Sequence, residues 1–180
     1  MPQVDAFAKL APYYDRMMKH VDYDRWFTVT TELATLLPQP FRHLDAACGT
    51  GLLLKRLCQA GWDSIGLDLS FSMLRVARET SPPLRVANGD LRALPLPKTF
   101  DYVTCLFDSI NFLLHIEDVR AVFGQFMEIL TDSGLLYFDI VTERMVLEHF
   151  EGQRWCETHE GFSTSWESHY CKETASVETH

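Results

Sequence analysis

The sequence predicts an α/β protein: a three-layer, doubly wound, mostly parallel sheet, with helices in front of it and an antiparallel strand segment after it. Two observations predict this. From Phe41 onward, short apolar runs of strand length alternate with amphipathic stretches of helix length, the pattern of a parallel sheet covered on both faces. Aspartates also recur at or just past the ends of four successive strand-like runs, at Asp45, Asp68, Asp90 and Asp108, spaced 23, 22 and 18 residues apart, near one strand plus its connection each. A chain of 180 residues with 47% hydrophobic and 23% charged side chains has the balance of one globular domain with a full core.

In chain order, the first 37 residues read as helical. Phe7, Leu10, Ala11, Tyr14, Met17 and Met18 form one stripe, divided by Pro12; Trp26, Thr30, Leu33 and Leu37 form a second, closed by Pro38 and Pro40. Strand one is expected over 41–47, then a helix over 52–60 that buries Leu53, Leu54 and Leu57 and stops at Gly61. Strand two covers 62–68, and Ser70 caps the next helix. A short strand follows at 84–87, then a fourth at 100–107. A helix over 117–131 buries Val119, Val122, Phe123, Phe126 and Leu130, and Asp132-Ser133-Gly134 turns into strand five at 135–141. One more helix is expected over 143–150. Phe162, Thr164, Trp166, Ser168 and Tyr170 then alternate along an amphipathic strand. The expected organisation is an N-terminal helical lid (1–40), a ligand-binding α/β domain (41–150) and an antiparallel segment (151–180) on the acceptor side.

The net charge is −9, with an excess of positive charge only within 42–100. An acidic chain does not suit a binder of phosphate backbones, so DNA is not indicated. No run reaches the ~18 apolar residues of a membrane span, and Met1 to Leu10 is no signal peptide. Five scattered cysteines without a C-x-x-C pair fit a reducing cytoplasm. Cys156, His159, His169 and Cys171 match no common zinc spacing and read as ordinary strand residues, so no metal is expected.

The loop after strand one is Asp45-Ala46-Ala47-Cys48-Gly49-Thr50-Gly51. Gly49 and Gly51 permit a tight turn and close approach of backbone to a ligand, and the following helix offers free N–H groups. Asp68 is placed to accept from two adjacent ribose hydroxyls. This describes a nucleoside-containing ligand. A dinucleotide brings two phosphates, yet the loop from His43 to Leu54 holds no Lys or Arg; backbone N–H groups could still hold a pyrophosphate. S-adenosyl-L-methionine (SAM) has no phosphate and is net positive, so it fits an acidic rim better. The third dinucleotide glycine is replaced by Leu54, and no P-loop follows.

Five segments then resemble, in order and at the right spacing, the motifs of class I SAM-dependent methyltransferases: HLDAACGTG (43–51), GLDLS (66–70) with Met73 after it, NGD (88–90), LPLPKTFDYVTCLFDSINFL (94–113) and LTDSGLLYFDIV (130–141). Bacterial methyltransferases of the domain type 11/25 kind are the nearest subgroup; they often begin with a helix like residues 7–26 and carry a small antiparallel insertion like 152–178. The resemblance implies the Rossmann-like fold of that family, with SAM as cofactor and S-adenosyl-L-homocysteine as product. It implies Asp45, Ala47, Cys48, Gly49 and Gly51 at the methionine end, Asp68 at the ribose, and Leu69 and Met73 against the adenine. Asp90 would take the adenine amino group beside the Leu91 N–H, Phe107 would lie along the methionine, and Tyr14, Tyr23 and Trp26 would belong to the lid.

Each residue also has a structural reading: Asp45 caps the glycine turn, Cys48 packs, Asp68 caps a helix, Asp90 makes a turn, Asp108 caps a helix over 109–114, and the three lid aromatics belong to the core. Asp108 is also the candidate for orienting an acceptor or serving as general base. Neither an NPPY-like motif nor a Pro-Cys pair follows strand four, which leaves a small-molecule acceptor first and protein or RNA after it. The alternatives to an active methyltransferase are a SAM-binding module without turnover and an NAD-dependent oxidoreductase. The family's sheet usually continues with two further strands. The residues after 150 do not supply both, so either the sequence is a fragment or the sheet is trimmed, and without those strands strand five exposes an edge.

Overall fold

The computed structural model describes residues 5–94, 96–159 and 161–179; residues 1–4 of the expected helical stretch lie outside them. It comprises two compact units, Met1–Asp139 and Ile140–His180.

In the first unit, the Phe7 carbonyl accepts from the N–H groups of Leu10 and Ala11, so the first part of the N-terminal stripe is a turn and not a helix. Helix α1 (Ala11–Met17) begins there, with Pro12 in its first turn, where a missing N–H costs nothing. Helix α2 (Tyr23–Ala34) starts at Asp22, whose carboxylate accepts from the Arg25 N–H at 2.9 Å.

Five strands follow: β1 (Arg42–Ala46), β2 (Asp63–Asp68), β3 (Val86–Asn88), β4 (Phe100–Cys105) and β5 (Leu130–Phe138). They pair in parallel in the order β3-β2-β1-β4-β5. The chain runs outward from β1 to β3, returns to β4 on the other side of β1, and so leaves a crevice at the carboxyl ends of β1 and β4. Helices α3 (Leu52–Gln59), α4 (Phe71–Arg78) and α5 (Ile116–Ile129) connect the strands. Ser70 caps α4 as expected, its hydroxyl accepting from the Met73 N–H at 3.1 Å.

Strand β5 departs from the expected pattern. It begins at Leu130, immediately after α5, and ends at Phe138. Its register against β4 jumps from Phe100↔Leu130 to Tyr102↔Leu135, so Asp132-Ser133-Gly134 form a bulge inside the strand and not a turn before it. Gly134 is needed there, because a Cβ would lie 3.0 Å from the Thr131 carbonyl oxygen and 2.8 Å from Leu130. Among the described residues, β5 is one edge of this sheet and β3 the other.

Strand alternation sorts the two faces. Leu44, Ala46, Leu67, Val103 and Cys105 face a core closed by Val122, Phe126 and Ile129 of α5. The opposite face carries Tyr102 and Leu106, which join clusters built with Ala34, Leu53 and Leu57 of α2 and α3. His43, Asp45, Ser64 and Thr104 are buried among these residues, an unusually polar set for the middle of a sheet.

In the second unit, helix α6 (Glu143–His149) begins at Thr142, whose hydroxyl accepts from the Met145 N–H at 3.3 Å. An antiparallel sheet follows in the order β6 (Arg154–His159), β7 (Phe162–Cys171), β8 (Ser176–Thr179). The alternation read over 162–170 is present: Phe162, Thr164, Trp166 and Ser168 are more buried than the residues between them. The sequence expects one strand here, and the structure has three. Among the described residues no helix is long and apolar enough to cross a membrane.

Gly66 in β2 is required by space. A Cβ there would meet Cys48 Sγ at 2.6 Å and Leu54 Cδ2 at 2.7 Å. Gly66→Ala should therefore destabilise the protein by about 1–3 kcal/mol, the usual cost of overpacking. Urea denaturation would measure it, and Cys48→Ala in the same chain should recover part of the loss.

Candidate functional site

A cavity of about 680 Å³ opens at the carboxyl ends of β1, β2 and β4, within the first unit. Its floor is the loop from β1 into α3. Ala47, Gly49 and Gly51 all have left-handed backbone, with φ of 58°, 56° and 79°. The loop is pinned by the Cys48 N–H donating to the Leu67 carbonyl at 3.0 Å. The two glycines differ in purpose. A Cβ on Gly49 would meet nothing within 4 Å, so its backbone is open to the cavity it lines. A Cβ on Gly51 would strike Leu84 at 2.6 Å, and Gly51 serves packing at the head of α3 and not the cavity wall.

Asp68 ends β2 and ties this loop to the next one. One carboxylate oxygen accepts the Gly49 N–H at 2.7 Å and the other accepts the Ser70 N–H at 2.8 Å. Burial nevertheless raises its pKa, against the lowering effect of those two N–H groups. Asp45, at 4% exposure, accepts from the Thr104 hydroxyl at 3.0 Å. Burial, with Asp68 nearby, pushes Asp45 up to about 7. Burial also raises the Cys48 thiol, aided by the same two carboxylates, so Cys48 is a packing residue and a poor nucleophile.

Leu69, Met73, Asp90 and Leu91 line the side of the cavity beyond Asp68. Asp90 is not free there: Arg92 reaches it at 2.6 Å and extends to Asp118 of α5 at 3.3 Å. Phe107 and Asp108, just past β4, are consecutive left-handed residues with φ of 60° and 51°, a strained pair of the kind that collects at functional sites. Asp108 precedes a 3-10 turn over Ser109–Phe112, but its side chain makes no capping hydrogen bond. Its backbone N–H instead donates to Asp139 Oδ2 at 3.1 Å. Burial, then the Asp139 charge, pushes Asp108 up to about 6.

Tyr14 and Tyr23 line the cavity, and burial followed by Asp108 and Asp68 pushes Tyr14 up to about 12. Trp26 does not line it. It stacks behind Phe107 with ring centroids 5.0 Å apart, and also packs on Tyr137. Of the residues singled out from sequence, all but Gly51 and Trp26 therefore line one cavity. Asp5, Asp118 and Asp139 were missed. Asp5 lines the cavity and accepts the Ser72 N–H at 3.0 Å. Asp139 follows β5 as Asp108 follows β4, a signal hidden because the strand was drawn past it. Among the described residues no cluster of three or more His, Cys, Asp or Glu is placed to hold a metal.

The raised Asp45 pKa has a testable sign. A carboxyl that titrates near 3.8 unfolded and about 7 folded supports stability below pH 4 and loses that support as pH rises towards 7. Thermal denaturation without ligand, from pH 4 to 8, should show Asp45→Asn gaining on the native chain as pH rises through that window. A constant difference between the two would contradict the assignment.

Comparisons with known proteins identify the family. A family model described as "Methyltransferase domain" matches residues 44–134. "Putative methyltransferase YqeM" of Bacillus subtilis is 33% identical over 162 residues, covering 88% of this chain and 64% of that protein. The chain thus spans under two thirds of that relative's length. A Streptomyces fradiae protein, named dTDP-3-amino-3,6-dideoxy-alpha-D-glucopyranose N,N-dimethyltransferase, is 33% identical over 141 residues, covering 75% of this chain and 54% of its own. The crystal structure of an S-adenosylmethionine-dependent methyltransferase from Clostridium acetobutylicum superposes with a TM-score of 0.79 at 28% identity, over 92% of this chain and 70% of that one. With a family model matching half of its length and a relative 33% identical over most of it, the chain belongs to the methyltransferase domain family.

Proposed function

We propose that the chain binds SAM in this cavity and transfers its methyl group to a small-molecule acceptor, leaving S-adenosyl-L-homocysteine. The observation that carries the reading is the charge of the wall. Asp5, Asp45, Asp68, Asp90, Asp108 and Asp118 line it, and among the described lining residues the cation is Arg92, already paired with two of them. Such a wall favours an ammonium and a sulfonium and disfavours the pyrophosphate of a dinucleotide.

The residues fit the group part by part. Asp45 is placed for the ammonium, and the N–H groups opening α3 for the carboxylate. Asp68 keeps unused lone pairs for ribose hydroxyls, and its two N–H partners hold it in position. Leu69 and Met73 offer an apolar slot for the adenine. Asp90, oriented by Arg92, and the Leu91 N–H stand at its edge. Phe107, Tyr14 and Tyr23 supply aromatic surface near a cationic centre, with Trp26 bracing Phe107 from behind. SAM supplies a methyl group on a good leaving group, so what remains for the protein is alignment and exclusion of water. Asp108 stands at the rim with a pKa pushed to about 6, suited to take a proton from an acceptor that must lose one. The amino-sugar relative supports a small acceptor bearing an amine.

Calorimetry should give binding of S-adenosyl-L-homocysteine and none of NAD; the reverse would return the dinucleotide reading. Asp68→Ala should weaken that binding by about 1–3 kcal/mol, the cost of unpaired polar groups. Methyl uptake from labelled SAM into extract metabolites, peptides and RNA would find the acceptor class, and binding with no uptake would leave a module without turnover. With an acceptor in hand, Asp108→Asn should lower turnover roughly 10²–10⁴-fold while product affinity holds, and should remove the rise in rate through pH 6.

A further inference from the structure

The polar residues buried in the middle of the sheet form one connected row. Ser64 Oγ of β2 lies 3.0 Å from His43 Nδ1 of β1, His43 Nε2 lies 3.0 Å from Thr104 Oγ1 of β4, and Thr104 donates to Asp45 Oδ1 at 3.0 Å. Ser64, His43 and Thr104 are 0% exposed. The row starts in the core and ends at the cavity wall.

The chemistry of the partners fixes its direction. A carboxylate only accepts, so Asp45 takes the single proton of the Thr104 hydroxyl. The Thr104 oxygen is then left to accept, and the neutral imidazole must present Nε2–H to it. Nδ1 is left as an acceptor, and the Ser64 hydroxyl fills it. Burial keeps the ring neutral, lowering its pKa to about 3. Trp62 and Tyr102 hold the ring from two sides, each with its centroid 5.3 Å away. Every donor in the row thus points towards Asp45. The other titratable groups around Asp45 are Asp68 from β2, Cys48 from the glycine loop, Tyr23 from α2, Cys58 from α3 and Cys105 from β4. None of these is a cation, so the Thr104 hydroxyl is what opposes burial and Asp68 in keeping the carboxyl ionised.

We propose that His43 is a positioning residue for the ligand site: backed by Ser64, it directs the Thr104 hydroxyl onto Asp45, so that the Asp45 carboxylate is favoured and fixed as the acceptor for the amino group of the amino-acid end of the bound ligand. The inference rests on the proposed SAM site. A core histidine kept only for packing would need a partner at each nitrogen, but it would not need one of those partners to pass its own proton on to a carboxylate at the cavity wall.

The experiment compares two probes by calorimetry across pH 5.5–8.5: S-adenosyl-L-homocysteine, which carries the amino acid, and 5′-methylthioadenosine, which lacks it. Thr104→Val should weaken the first about tenfold at pH 7, the loss of one charge-assisted hydrogen bond, and the second less than about twofold. The pH below which S-adenosyl-L-homocysteine binding fails should move upward, since the carboxyl loses the donor that held it ionised. His43→Phe, which keeps the ring's packing, should shift both readouts in the same direction by a smaller amount, and Thr104→Ser should restore native behaviour. Equal weakening of both probes, or an unmoved pH profile, would reduce the row to a structural role and overturn the proposal. Failure of the native chain to bind either probe would overturn the SAM site itself.

Discussion

Two loops leave neighbouring strands at the top of this sheet, and one carboxylate decides where both of them lie. Asp68 receives the Gly49 N–H on one oxygen and the Ser70 N–H on the other, so the glycine turn after β1 and the helix start after β2 are set against the same rigid group. The Gly49 turn needs left-handed backbone, and nothing lies within 4 Å of where its Cβ would be. It is held by that charge-assisted hydrogen bond together with the Cys48 N–H donating to the Leu67 carbonyl. Close packing of Gly66 against Cys48 and Leu54 brings β2 near enough for that bond to form.

How far the sequence reveals this depends on whether a feature is local. The alternation of strands and helices was legible, since periodicity and capping are written within a few residues: Ser70 caps α4 and Gly61 ends α3 in left-handed backbone, as read. The acidic rim was legible for the same reason, each aspartate closing its own strand. What escaped depends on partners far along the chain. Asp132-Ser133-Gly134 carries turn chemistry, and only pairing with Phe100 and Tyr102 makes it a bulge. Arg92, paired with both Asp90 and Asp118, joins the loop after β3 to α5. The left-handed backbone at Phe107 and Asp108 has no glycine to announce it. Of the three strands in the second unit only β7 is legible, because it alternates buried and exposed side chains, whereas β6 is exposed along most of its length.

The site is also where the molecule is least comfortable. Ala47, Phe107 and Asp108 hold conformations that side chains avoid, and Asp45, Asp68 and Asp108 are carboxyls whose surroundings oppose their charge. The rest of the first unit compensates with two apolar cores and tightly paired strands. Local rules are broken mainly around the cavity, which is where a functional demand would break them.

Because Asp45 sits buried with a pKa of about 7, a fraction of molecules near neutrality carries a hydrogen there. Any cation that settles against this carboxyl must expel that hydrogen to the solvent before the pair can form. Occupancy of the crevice is thereby coupled to acid release. The heat of association will vary with the ionisation enthalpy of the chosen buffer.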